Sequence, residues 1–191
     1  MVSGGAGGSD TYWSISAHNA GHSVVHISFP GHRLHPGAKG ERRQQSLDQL
    51  EANADKLGRV AKEIKKSVPR APYIRKLILR NFYQFSEETE AMYAVVGTLR
   101  DSCRSQLQRI PGGTGWTIAA YILTHATPLA YVFVQQERKW YEWNVADNEW
   151  VCLGDAVLPE KKPGDCLVSY SAVGTRDINE HGIQAIENLF A

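Results

Sequence analysis

The chain has 191 residues, of which 42% are hydrophobic and 21% charged, and its formal net charge is +1. That length supports one globular domain with a sizeable core, and the balanced charge excludes a bulk electrostatic attraction to nucleic acid or to an anionic membrane. No apolar run approaches the ~20 residues of a membrane-spanning helix.

The first ten residues, MVSGGAGGSD, have neither the basic n-region nor the apolar h-region of a signal peptide, and they read as a flexible leader to a single domain at 11–191. Thr11–Ser16 and Ser23–Phe29 are rich in β-type residues and predict two short strands, followed by a loop at 30–40 dense in Gly, Pro and His. Ser46-Leu47-Asp48-Gln49 has the form of a capping box. Leu47, Leu50, Ala54, Leu57, Ala61, Ile64 and Val68 then recur at spacings of three and four, which predicts a helix ended by Pro69. Ile74, Leu77, Ile78, Phe82 and Phe85 suit a second helix. Ser86 with Glu87 and Glu88 resembles the start of a third, with Met92, Val96, Leu99, Cys103, Leu107 and Ile110 on its inner face and Pro111-Gly112-Gly113 as its stop. Gly112–Gly115 could cradle a phosphate at a helix start, but a helix stop accounts for these glycines and the Walker lysine is missing.

In the C-terminal third, residues 130–134, 139–144, 149–153 and 166–173 predict strands, with Asp147-Asn148 as a hairpin turn. Asp177–Glu180 predicts the cap of a last helix. The expected class is α+β: N-terminal β-strands, a central helical block, and a C-terminal antiparallel sheet closed by a helix.

Three cysteines, Cys103, Cys152 and Cys166, without metal-type spacing suggest reduced thiols, in a cytoplasm or a host cytoplasm into which the chain is delivered. Cys166 follows a Pro-Gly turn, His125 precedes an apolar strand, and Asn144 and Asp147 end a Trp-rich one. A thiol nucleophile needs a base to take its proton and a third group to hold that base in one tautomer. These residues supply a nucleophile (Cys166), a base (His125) and an orienting residue (Asn144 or Asp147).

The order His, then Asn or Asp, then Asp165-Cys166 resembles the cysteine proteases of the adenovirus and ubiquitin-like-protein-processing type. The His-strand followed by Trp140-Tyr141-Glu142-Trp143-Asn144 is similar to the catalytic half of papain-like folds. Both likenesses imply a peptidase. Ala126 stands where those proteases usually carry Trp, and no Gln lies between Gln136 and Cys166. A strand-borne cysteine followed by His181 is similar instead to glutamine-deamidating toxins of the cytotoxic-necrotizing type, and would make His181 the base.

Two other readings compete with a cysteine hydrolase. A non-enzymatic protein-interaction module, of an effector or virus-encoded kind, would use the Trp-rich strands or the stretch Lys56–Arg80, which holds nine Lys or Arg and only Glu63 as an acid. A protein partner is expected ahead of nucleic acid, with no role for a membrane. The third reading rests on His26-Ile27-Ser28 and His125-Ala126-Thr127, a paired pattern that resembles the two-histidine phosphoesterases and implies that His26 and His125 face each other as base and acid. Five histidines fall between His18 and His35, but no acid lies between Asp10 and Glu41 and no cysteine is near, so neither a metal site nor a cofactor is expected.

Overall fold

Six consecutive residues, Ala91–Val96, have almost no exposed surface, and they mark the middle of the molecule. In the computed structural model, which describes all 191 residues, they belong to a strand, β4 (Thr89–Val96). The sequence predicts a helix here. An apolar run of this length fits either element, and a strand covered on both faces loses the polar alternation that would identify it. The Ser86 N–H, expected at a helix start, instead donates to the Thr89 hydroxyl at the entrance to the strand.

The other strands are β1 (Val2–Ser3), β2 (Val25–Ser28), β3 (Glu41–Gln44), β5 (Ala130–Val134), β6 (Lys139–Asn144), β7 (Glu149–Cys152) and β8 (Ser169–Gly174). All eight form one sheet of order β3-β2-β1-β8-β4-β5-β6-β7. The fold is α+β, as the sequence predicts, with a mixed sheet. Antiparallel pairing is confined to β5-β6-β7, and β8 inserts parallel to both β1 and β4.

The helices are α1 (Ser9–Asn19), α2 (Leu47–Glu51), α3 (Ala54–Glu63), α4 (Pro72–Asn81), α5 (Gly112–Thr124) and α6 (Glu180–Asn188). Side chains along β4 alternate between the two faces of the sheet. Tyr93 and Val95 meet Trp13 and Ala17 of α1 and Ile186 of α6 on one face. Met92, Ala94 and Val96 join Leu50, Leu57, Leu79 and Ile118 of α2 to α5 on the other.

Several local expectations are corrected. Residues 1–10 are not a loose leader, because Val2–Ser3 pairs with both β2 and β8. Thr11–Ser16 is helical: Trp13 and Ala17, one turn apart, are both fully buried, and that spacing outweighs the local β-propensity. The helix expected from Leu47 to Val68 is split into α2 and α3, and its capping box at Ser46 and Gln49 is present. Gly112 and Gly113 begin α5 and end nothing.

Because they run parallel, β1, β2, β4 and β8 all end at one edge of the sheet. From there α1 carries the chain from β1 outward to β2 over one face. α5 carries it from β4 outward to β5 over the other. Connections that diverge in this way leave a crevice beyond the strand ends, and ligands of open α/β sheets bind in such crevices.

Candidate functional site

Two glycine-containing turns border that crevice. The first, Gly4–Gly8, joins β1 to α1. A Cβ on Gly4 would lie 1.9 Å from Nη1 of Arg80, so only glycine lets the backbone pass this close. Gly8 turns into α1 with φ of 83°, a conformation that disfavours other residues. The second turn, Pro111–Gly113, opens α5. Beyond the Cβ position of Gly112 there is open space, and that of Gly113 meets only Asn81 at 3.7 Å. Neither helix has a side-chain cap. The first-turn N–H groups of α5 therefore keep their donor capacity, at the positive end of the helix dipole.

Between these turns lies a cavity of about 670 Å³, within the roughly 300–1,000 Å³ of small-molecule sites. Ala6, Asp10, Arg80, Gly113, Trp116 and Arg176 are among the residues of its wall. Arg80, on the last turn of α4, is 4% exposed, and its Nε has no hydrogen-bond partner. Burial lowers its pKa to about 10, with Asp10 opposing the shift, so it remains a cation at neutral pH. Gln84 fits with its amide oxygen toward the guanidinium, accepting from Arg80 Nη1 at 2.5 Å and from the Gly4 N–H at 3.3 Å. Asp10 is also buried. Burial pushes its carboxyl up to about 6 against the pull of Arg80 and of backbone N–H groups. One of these is the Ala6 N–H, which donates to Oδ2 at 3.3 Å, so Asp10 ties the glycine loop to the helix that follows it.

A second cluster lies toward β2. His26 sits under the loop, with Nε2 2.8 Å from the Lys39 carbonyl and a buried, unpartnered Nδ1. His32 stacks on Phe29, with ring centroids 5.2 Å apart, and its Nδ1 is buried and unpartnered too. Burial, then the charges of Arg80, Arg42 and Arg176, lower the His32 pKa to about 4. Arg42 donates from Nη2 to the His32 carbonyl at 3.1 Å and from Nε to Ser28 at 2.8 Å.

The chain matches no protein-family profile, no curated protein and no solved structure.

The residues expected to form a cysteine site lie elsewhere. Cys166 is half-buried; its thiol points to the Lys162 carbonyl at 3.7 Å, and burial followed by the Glu90 carboxylate pushes its pKa up. His125 ends α5 with Nδ1 and Nε2 each 2.9 Å from a carbonyl oxygen, those of Tyr121 and Ser86. Each ring nitrogen thus faces a backbone carbonyl, which can only accept, and neither faces Cys166. Cys166 leads into β8 and His125 into β5, two strand spacings apart, or roughly 10 Å. Asn144 bonds to Asp147 at 2.8 Å within the β6–β7 turn, where it shapes the hairpin. His181 is exposed on α6 and lines a different cavity, with Arg138 and Trp140.

His26 and His125 are not paired either. One lies under the glycine loop after β1, the other at the opposite edge before β5. Four strand spacings separate them laterally, roughly 19 Å. Trp140, Trp143 and Trp150 are at most 5% exposed and pack inside the sheet layers, so they form no surface platform. No helix is long and apolar enough to cross a membrane.

Sequence reasoning missed Gly4–Asp10 and Arg80. A usable signal was present: an apolar start, a glycine cluster, Ser-Asp, and then apolar Trp13 and Ala17 at helical spacing. Arg80 falls beside the apolar stripe of α4, where a buried cation needs a reason.

Proposed function

We propose that this protein binds a phosphate-bearing small molecule, of nucleotide size, in the crevice between α1 and α5. The carrying observation is Arg80, a guanidinium almost wholly removed from water, with an unpartnered Nε, in the wall of a cavity that an uncapped helix opens onto. Asp10 offsets part of that charge, and an anion at the open Nε would complete the compensation that a buried cation needs. A phosphate at the start of α5 would accept from the N–H groups of the first turn and sit in the field of the dipole. Lys66 and Arg176, also in the wall, add positive charge, while Ile74, Leu77 and Trp116 offer an apolar side for the rest of the ligand.

The cysteine-hydrolase and two-histidine readings draw less support, since in neither case are the side chains that must act together within reach of each other. The interaction-module reading loses its aromatic platform to the interior.

Gly113→Asp tests the proposal. A Cβ at this position meets nothing nearer than Asn81 at 3.7 Å, and an acid in the first turn of a helix is tolerated or mildly stabilising. Calorimetric titration with adenosine monophosphate should show binding by the unaltered protein and at least tenfold weaker binding by the variant, at equal thermal stability. Equal affinity in both would overturn it.

A further inference from the structure

We infer that the ligand carries two phosphates held apart, the first at the start of α5 and the second in the cluster of Arg42, Arg80, Arg176 and His32. This rests on the reading of the crevice as a phosphate site and extends it across Arg80 toward β2.

The cluster pairs two exposed arginines, Arg42 and Arg176, with a buried guanidinium and a buried imidazole, Arg80 and His32. Arg42 of β3 donates to the His32 carbonyl at 3.1 Å, Arg80 of α4 abuts Gly4, and the Arg176 backbone, after β8, abuts Gly8, so three separate parts of the chain bring arginines around the glycine loop, which also touches Leu34 and His35. None of the three makes an ion pair; the ion pairs of the protein are Arg75–Glu51, Lys139–Asp155 and Lys161–Glu90. In a chain of net charge +1, such gathering of unpaired cations is not a matter of composition. His32 is 6% exposed and stacked flat on Phe29, which fixes its plane and leaves Nδ1 buried without a partner. An imidazole in that position is ready to donate once an anion arrives.

Charge indicates the chemistry of the second group. Three guanidinium groups carry more charge than a single carboxylate balances, and a phosphate dianion offers both the charge and the several oxygens that forked donors engage. Arg80 stands between the two positions, since it lines the cavity and also abuts Gly4, whose neighbour Gly5 packs on His26 and Leu34. A ligand reaching both would lie across the ends of β8 and β1.

The test compares adenosine 5′-monophosphate with adenosine 3′,5′-bisphosphate by calorimetry at fixed pH and ionic strength. It uses the unaltered protein, Gly113→Asp, Arg42→Gln and His32→Asn. The bisphosphate should bind at least tenfold tighter than the monophosphate. Arg42→Gln and His32→Asn should each remove most of that advantage while leaving monophosphate affinity unchanged, and Gly113→Asp should weaken both ligands. A bisphosphate that binds no tighter, or whose advantage survives in both cluster variants, overturns this inference but leaves the phosphate site standing. Absence of binding by either ligand overturns both.

Discussion

Gly4 and Arg80 are mutually dependent: the backbone at Gly4 passes so near Arg80 that a single methyl group there would lie 1.9 Å from Nη1. The glycine at the end of β1 therefore makes room for a cation that arrives from α4, on the opposite face of the sheet. Gly4→Ala should displace the guanidinium, which is 4% exposed and packed among fixed neighbours. Overpacking of this kind costs about 1–3 kcal/mol. For a chain of this size each kcal/mol lowers Tm by roughly 2–4 °C, so a melting curve within a degree of the unaltered protein would contradict the packing described.

Arg80→Met should expose the dependence of Asp10 on its neighbour. The Asp10 carboxyl already titrates near 6 in the folded protein, raised by burial from 3.8. A raised carboxyl means that the folded state holds a proton the unfolded state has released, so its contribution is full at low pH and is lost as pH rises through the folded pKa. Without Arg80 that pKa climbs further. The variant should be destabilised more at pH 8 than at pH 5, as urea midpoints would show; equal losses at both would separate Asp10 from Arg80.

His32 works in the other direction. Its folded pKa, about 4, lies below the 6.5 of a free imidazole, so the unfolded chain takes up a proton first. Its contribution is therefore complete above pH 6.5 and declines as pH falls toward 4, by up to roughly 3 kcal/mol. Asp10 partly masks this in the unaltered protein, because its slope over the same window is opposite. The difference in unfolding free energy between the unaltered protein and His32→Asn should widen from pH 4 to pH 7. A pH-independent difference would mean that His32 is not held neutral by its surroundings.

The thiols give a separate check on the cysteine reading. Cys152 is exposed, while Cys166 is half-buried with a raised pKa. Iodoacetamide should label Cys152 well before Cys166 in the native protein at pH 7, since the thiolate is the reactive form. Fast, selective labelling of Cys166 below pH 7 would reopen the hydrolase assignment.

How much of this was legible beforehand depended on whether local pattern and tertiary setting agreed. They agreed in the β5–β7 meander, where aromatic and β-branched residues alternate between turns, and at Ser46 and Asn179, whose side chains do cap helices. They disagreed at Thr89–Val96, where burial on both faces erased the strand period. At Met1–Asp10 they disagreed again, since three apolar or small residues and a glycine cluster carry no periodic signal; only pairing with β2 and β8 makes them a strand. The candidate site was hidden for the same reason. Its parts come from α4, from two turns and from the ends of parallel strands, and nothing in local spacing reveals that Gly4, Arg80, Gly113 and His32 converge. The expected cysteine site spans His125 to Cys166 in sequence, and β4 stands between the two strands, β5 and β8, that those residues lead into.

The most direct test of the central claim is a ¹⁵N–¹H correlation titration with sodium pyrophosphate at constant ionic strength. The amides of Gly112, Gly113 and Thr114, together with those of Gly5 to Gly8, should shift in a saturable manner, while β6 and β7 stay unmoved. Saturable shifts confined to other parts of the chain, or no shifts at millimolar pyrophosphate, would contradict a phosphate site between α1 and α5.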